Sequence, residues 1–327
     1  MALLQQKNKR AALQKAFSQK PSRVVGSYSQ GLAGPRIFVV AGIHGNEPAG
    51  VVALQRLFAQ LESNRAPFYG QIIGLRGNIQ ALQENRRYLK ADLNRLWRDE
   101  MIEKLPGQMM DADGQEWLEL ADLLDHLRAL AEPQASQEPV VLVDLHSTSA
   151  PSCPFLIDCG DSRLAALFNR WPIPRVEGLD QVIQGTMIQY FMARGIASFA
   201  FEGGQHQDPL SAENHLALLW LLLSDLGCVP EAQQGRRGHY ADQLKATVNC
   251  LHLRFRLKYR YRIQCGEAFR MEPGFSNFQP VSRGQVLARN QDGLIYCPMD
   301  GFIFMPLYQR EGDDGFFIIQ PVEEEGE

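Results

Sequence analysis

The chain has 327 residues, 45% of them hydrophobic and 21% charged, with a formal charge of -4 at pH 7. That composition excludes disordered, collagen-like and coiled-coil chains, and the mildly acidic balance gives no reason to expect a nucleic-acid partner. The densest apolar run, Leu216 to Leu223, falls far short of the ~20 residues that span a bilayer. No apolar stretch follows Lys7, Lys9 and Arg10 as a secretory leader would require, so a cytoplasmic protein is expected. Cores stop growing as single units near ~250 to 300 residues, so the length predicts one large part and a smaller one. Cys153, Cys159, Cys228, Cys250, Cys265 and Cys297 share no repeated C-x-x-C spacing and read as reduced thiols.

In chain order, the short β-branched run Ile37 to Ala41 predicts a strand, Gly42 to Pro48 a loop, and the helical spacing of Val51, Val52, Leu54, Leu57 and Phe58 a helix. Further buried strands are expected at Val140 to Leu145, Pro154 to Cys159 and Ile196 to Phe201. Helical patterns lie near 114 to 131, 161 to 170 and 209 to 227, the last capped by Asp208 with Pro209 in its first turn. Strands alternating with helices imply an α/β fold with a mixed, largely parallel sheet flanked by helices. Val229-Pro230 and the polar Glu231 to Gly238 read as a linker, dividing a larger domain, 1–230, from a C-terminal β domain, 240–327. From Leu251 to Tyr261 every second residue is apolar and the residues between are His, Arg or Lys, which is the pattern of a half-buried strand with a solvated basic face. Turn signals at Pro273-Gly274, Arg283-Gly284, Asp292-Gly293 and Asp300-Gly301 predict several short strands.

The chemistry gathers where strands end. His44 and Glu47 share the loop after the first strand, at the carboxyl edge where open α/β sheets bind ligands. His146 closes the strand that begins at Val140, with Asp144 beside it to act on the site from behind. A single histidine after a strand is more often a hydrogen-bonded loop residue. Two histidines and a glutamate delivered to one edge instead make an open three-ligand set that leaves a position for water, and two imidazoles favour zinc over magnesium. Glu202 ends the apolar strand Phe199-Ala200-Phe201, where desolvation raises its pKa toward the range of a general base; a structural glutamate paired with an arginine is the alternative. The segment Arg86 to Trp97 carries Arg86, Arg87 and Arg95 without clean amphipathicity, either as an anion site or as a solvated helix face.

Taken in order, G-x-H-G-N-E at Gly42 to Glu47, Gly77-Asn78, R-Y-x-x-x-D-L-N-R at Arg87 to Arg95, D-L-H at Asp144 to His146 and F-E-G-G at Phe201 to Gly204 resemble the succinylglutamate desuccinylase/aspartoacylase family, relatives of the zinc carboxypeptidases. The resemblance implies that His44, Glu47 and His146 hold one zinc per chain and that Glu202 is the general acid/base. It implies that Arg87 polarises the scissile carbonyl and that Asn94 and Arg95 grip a substrate carboxylate, with Tyr190 and Arg194 as a further substrate-side pair. The activity implied is hydrolysis of a small anionic N-acyl amino acid, in a homodimer by analogy, with the C-terminal β domain packed over the site mouth. Ser147 to Pro151 stands closer to the aspartoacylase branch than to the desuccinylase branch and matches neither; Phe316 and Phe317 stand near the place of a substrate-binding tyrosine of the former. A zinc carboxypeptidase acting on small peptides and a non-catalytic metal- or anion-binding relative are the competing readings.

Overall fold

The computed structural model describes residues 21–64, 66–105, 115–130, 138–230, 234–248, 250 and 252–322. The first parts of the chain form β1 (Val24–Ser29), β2 (Leu32–Ala41), β3 (Tyr69–Arg76), β4 (Val140–Thr148), β5 (Phe155–Asp158), β6 (Arg175–Glu177) and β7 (Ala197–Gln205). The C-terminal part adds β8 (Arg254–Arg262), β9 (Arg270–Met271), β10 (Gln279–Val281), β11 (Val286–Asn290), β12 (Gly293–Tyr296), β13 (Gly301–Phe304) and β14 (Asp314–Pro321). An 11-stranded sheet runs in the order β1-β3-β2-β4-β7-β5-β6-β8-β14-β13-β10, beside a 3-stranded sheet β12-β11-β9. The pairs β2 with β3, β2 with β4, β4 with β7, β5 with β6 and β6 with β8 are parallel, whereas β5 meets β7, and β8 meets β14, antiparallel. This is the mixed, largely parallel α/β sheet with a β-rich C-terminal part that the sequence predicts.

Pleating decides which side chains reach the site. In β2, Ile37, Val39 and Ala41 pack into one core with the helices Ala49–Ser63 and Pro209–Asp225, while Phe38 and Val40 pack into another with Leu93, Leu120 and Leu123. The same alternation places Val141, Val143 and Leu145 of β4 in the first core and Leu142 in the second. Asp144 and His146 therefore follow Leu142 onto its face. In β7, Ala197, Phe199 and Phe201 take the first core, which leaves Glu202 on the other face, in parallel register with His146.

The helix predicted near 209 to 227 spans Pro209–Asp225, and the Asp208 carboxylate accepts from the Leu210 amide at 2.9 Å. The pattern near 114 to 131 yields Gln115–Leu127 and a short turn Arg128–Leu130; residues 114 and 131 lie outside the described residues. The pattern near 161 to 170 yields Ser162–Phe168. The expected linker is corrected in part. Residues 231–233 lie outside the described residues, but Gln234–Thr247 is helical. Gly235 and Gly238 are poor helix formers, so the polar stretch gives little local signal. Tertiary contacts supply what propensity lacks: Tyr240 stacks on Trp220 at 6.0 Å and 2°, and Arg237 donates from Nε to Asp225 Oδ1 at 2.7 Å. The alternating segment forms β8 from Arg254, with Leu251 outside the described residues. Its basic face is solvated and ion-paired, Arg254 and Arg256 to Glu177 and Arg260 to Asp314. Among the described residues no helix is long and apolar enough to cross a membrane.

A candidate metal centre and active site

The loop after β2 owes its course to two glycines. Gly42 turns the chain at φ +71°, a conformation L side chains rarely adopt. Gly45 lies against the helix Ile79–Glu84, where a Cβ would stand 2.0 Å from the Ala81 carbonyl carbon and 2.4 Å from the Arg86 oxygen, and its amide donates to the Arg87 carbonyl at 3.1 Å. The loop is thereby pressed onto the arginine segment, with His44 and Glu47 on either side of the contact.

Each histidine is held through one nitrogen and offers the other. His44 Nε2 lies 3.1 Å from Asp92 Oδ1, and His146 Nε2 lies 2.8 Å from Asp144 Oδ2. A proton on each Nε2 satisfies both carboxylates and leaves both Nδ1 lone pairs facing Glu47. Glu47 Oε1 is 2.9 Å from His44 Nδ1 and Oε2 is 3.1 Å from His146 Nδ1, while the Ser147 amide donates to Oε2 at 2.9 Å. The ligand atoms of His44, Glu47 and His146 all lie within 4.8 Å of one another, and all three residues are buried. Two imidazole lone pairs and a carboxylate converging in a buried site require a positive charge between them. The electrostatics show the same demand: burial pushes His146 down, but Asp144 and Glu47 hold it well above the ordinary imidazole range. Burial pushes Glu47 up, and His44 and His146 outweigh it to hold the carboxyl well below its usual range. The donor set, two nitrogens and one carboxylate with an open side, fits zinc.

Asp92, to which sequence reading gives no role, ties the centre together. It accepts from Arg87 Nη2 at 3.0 Å and from the Asn94 amide at 2.9 Å as well as facing His44. Burial raises it, but His44 and Arg87 bring it well below the carboxylate norm. Arg87 sits beside the ligands, Nη1 3.6 Å from Glu47 Oε1, and its buried Nε has no hydrogen-bond partner among the described residues. Glu202 is 6% exposed, and its Oε2 likewise has no partner among the described residues, nor does it form an ion pair among them. Burial, reinforced by Glu47 and Asp144 and opposed by His146 and Arg87, pushes it up to about 8.

These groups open into one cavity of about 170 Å³, lined by the three ligand residues, Arg87, Asn94, Arg95 and Glu202. Asn94 is already engaged with the protein: its Oδ1 accepts from the Met187 amide at 2.9 Å, and its Nδ2 reaches Asp144 Oδ2 at 3.4 Å and His146 Nε2 at 3.3 Å. Its Nδ2 donates to the Asp144 carboxylate, which accepts from His146 in turn, so Asn94 steadies the histidine through Asp144. Arg95 donates Nη1 to the Asn94 carbonyl at 2.8 Å at the cavity wall. Tyr190 and Arg194 are not brought to the cavity. Their spacing of four stacks the guanidinium 3.5 Å over the tyrosine ring, and Arg194 pairs with Asp99 at the surface, which completes both side chains away from the metal centre. Phe317 lines the cavity while Phe316 packs into the C-terminal core. Two further members come from distant segments: Ser147 Oγ meets His206 Nδ1 at 2.8 Å, and His206 Nε2 meets Gln309 Oε1 at 3.2 Å, a carbonyl that also accepts from Asn46 at 2.9 Å. Nothing in the sequence around Gln309 marks it, because its place depends on how the C-terminal part folds back.

The succinylglutamate desuccinylase/aspartoacylase catalytic domain model matches residues 33–214, a span that contains every ligand and both catalytic candidates. A succinylglutamate desuccinylase of Photorhabdus laumondii is 34% identical over 112 residues, covering 34% of this chain and 33% of that protein. The chain spans about a third of the length of such curated relatives. The solved structure of a succinylglutamate desuccinylase from Vibrio parahaemolyticus superposes with a TM-score of 0.63 at 16% identity, covering 92% of this chain and 86% of that one. A succinylglutamate desuccinylase/aspartoacylase from Rhodobacter sphaeroides gives 0.62 at 18% identity, covering 90% and 87%. At such identities the structures establish a shared fold.

Proposed function

Because this chain belongs to the succinylglutamate desuccinylase/aspartoacylase family, we propose that it is a zinc-dependent hydrolase that cleaves the amide of an N-acyl amino acid. The observation that carries the reading is Glu202, buried without an ion pair in the same cavity as a converging His, Glu, His set. A structural glutamate would be ion-paired to an arginine, whereas among the described residues Arg87 bears on Glu202 only at longer range and makes its ion pairs with Glu47 and Asp92.

His44, Glu47 and His146 are the residues that would hold the metal, one per chain. Zinc, when bound, supplies the Lewis acidity that makes water a nucleophile at neutral pH and polarises a carbonyl. Glu202 takes the proton of the attacking water and returns it to the leaving amine, a task for which a pKa near the working pH is best. Burial pushes it up to about 8, and a cation held by the neighbouring ligands would lower it. Arg87, braced by Asp92 at the cavity wall, meets the developing oxyanion; removing one such donor costs roughly 2.7 to 4 kcal/mol. Arg95 meets the substrate carboxylate, and Asn94 acts by steadying the Asp144 carboxylate behind His146. The segment carrying Leu307 and Gln309 walls the cavity, which favours small substrates over peptides.

A panel of N-acyl amino acids and dipeptides, assayed with and without zinc, tests this reading. Zinc-dependent release of amino acid from at least one acyl derivative, with slower cleavage of dipeptides, is expected. Preferential cleavage of dipeptides makes the protein an exopeptidase, and no turnover of any member overturns the proposal.

A further inference from the structure

The charges around the cavity are unevenly placed. Among its lining residues Arg87 and Arg95 are the lysine or arginine cations, and Arg87 is already compensated by Asp92 and Glu47. A substrate with carboxylates at both ends would leave one of them without a partner. The wall built by the turn Leu179–Gln181 and the helix Met187–Met192 is instead largely apolar, through Leu179, Ile183 and Ile188, with Phe317 joining from β14 and the polar Thr186 and Gln189 engaged in the helix cap and with the Asp180 and Ile183 carbonyls.

Asp180 stands in that apolar wall. It is half-buried, and among the described residues no cation pairs with its carboxylate. The charged group that bears on it is Asp158, not either arginine. Its carboxylate accepts from the backbone amides of Asp180 and Gln181, which orient it without neutralising it; burial and Asp158 still push it above its usual range, so a cation is the partner it lacks. Asp314, which also lines the cavity, differs in being paired to Arg260. The same cavity holds the unpartnered, almost fully buried Glu202, so it is a ligand site on independent grounds.

Resting on the hydrolase reading above, we propose that the substrate is the N-acyl derivative of a basic amino acid, its ammonium group paired with Asp180 and its methylene stem on Leu179 and Ile183. The acyl group is uncharged, and the single carboxylate belongs to Arg95. Long basic side chains suit such a wall, because their stems cover apolar surface while the charged head reaches a polar partner.

Wild-type protein loaded with zinc would be assayed on Nα-acetylornithine, its uncharged isostere Nα-acetylnorleucine, and Nα-succinylglutamate. The expected order of kcat/KM is acetylornithine first, by on the order of ten-fold over acetylnorleucine, the usual contribution of one hydrogen bond to a charged group. Asp180→Asn should collapse that ratio about ten-fold. Calorimetric binding of the free products to metal-free protein gives a readout apart from turnover: ornithine should bind more tightly than norleucine to wild type, and equally to Asp180→Asn. A preference for succinylglutamate or acetylnorleucine, or a ratio unmoved by Asp180→Asn, overturns this inference and leaves the hydrolase reading standing. No turnover of these three, with turnover of another N-acyl amino acid in the wider panel, overturns this inference alone; no turnover across that whole panel overturns both.

Discussion

At the scale of single residues the site is a balance of buried charges, and substitutions should shift it in opposite directions. Glu202→Gln keeps the shape and hydrogen-bonding capacity of the side chain but cannot accept a proton at neutral pH. Turnover should fall by ~10² to 10⁴ with KM little changed, as read by steady-state kinetics. Normal kcat would show that the carboxyl takes no part in proton transfer. The same variant has a thermodynamic signature in metal-free protein. The folded pKa of about 8 lies above the ordinary carboxyl value of 4.5, so the stability linked to this group is fully present below pH 4.5 and is lost as pH rises through about 8. Melting of metal-free Glu202→Gln should match wild type at the acid end and exceed it at the alkaline end. His146→Ala acts the other way. It removes a proposed metal ligand and leaves the fully buried Asp144 carboxylate with Asn94 as its remaining partner among the described residues. Zinc content should fall from about one per chain toward zero by elemental analysis, and the metal-free protein should lose roughly 1 to 3 kcal/mol in denaturant unfolding.

At the scale of elements, the proposed metal centre depends on how closely a loop approaches a helix. Gly45→Ala would place a methyl group inside contact distance of backbone atoms of Ala81 and Arg86, which cannot rotate away. The loop must lift from the helix Ile79–Glu84, moving His44 and Glu47 relative to His146 on β4. Zinc affinity should fall at least ten-fold, measured against a chelator of known strength, with roughly 1 to 3 kcal/mol lost in stability. An unchanged zinc affinity would mean that the loop holds its ligands without this contact. Elements also explain which parts of the sequence were readable. Strands β2, β4 and β7 are apolar runs bounded by turn residues, so their positions and their pleat follow from local pattern. Tyr190 and Arg194 show the limit: a spacing of four says that two side chains share a helix face, not which way that face turns. The helix Met187–Met192 turns Met187 and Phe191 into the core of Leu142 and Phe38, leaving that pair beside Trp97 and the surface.

At the scale of the whole molecule, the C-terminal part shares the hydrophobic core of the catalytic part. One cluster joins Phe155, Ile157, Val176 and Ala200 to Phe255, Phe278, Phe304 and Phe317, and β8 pairs directly with β6. A chain ending after residue 248 should therefore expose an apolar strand edge and this half of a core, and aggregate on expression. A soluble monomer with a cooperative melt, seen by size exclusion and calorimetry, would show that the two parts fold independently. The hydrogen bonds from Gln309 to His206 and Asn46 tie that part to the ligand loop as well.

By itself the sequence determined the α/β sheet, because apolar runs separated by turn residues carry their own secondary structure. It also determined which histidines and glutamate stand at the carboxyl edge, because the strands that deliver them are local and the pleat has a fixed period. Tertiary structure alone decided the partners. Asp92 on His44, Asn94 behind His146, Gln309 on His206 and Asp180 in an apolar wall are contacts between segments 48 to 103 residues apart, or between a side chain and a cavity that exists only once all its walls are in place. Local propensity fixes what a residue is attached to along the chain; which charge it finally faces is set by packing, where the desolvated interior makes each pairing strong enough to matter.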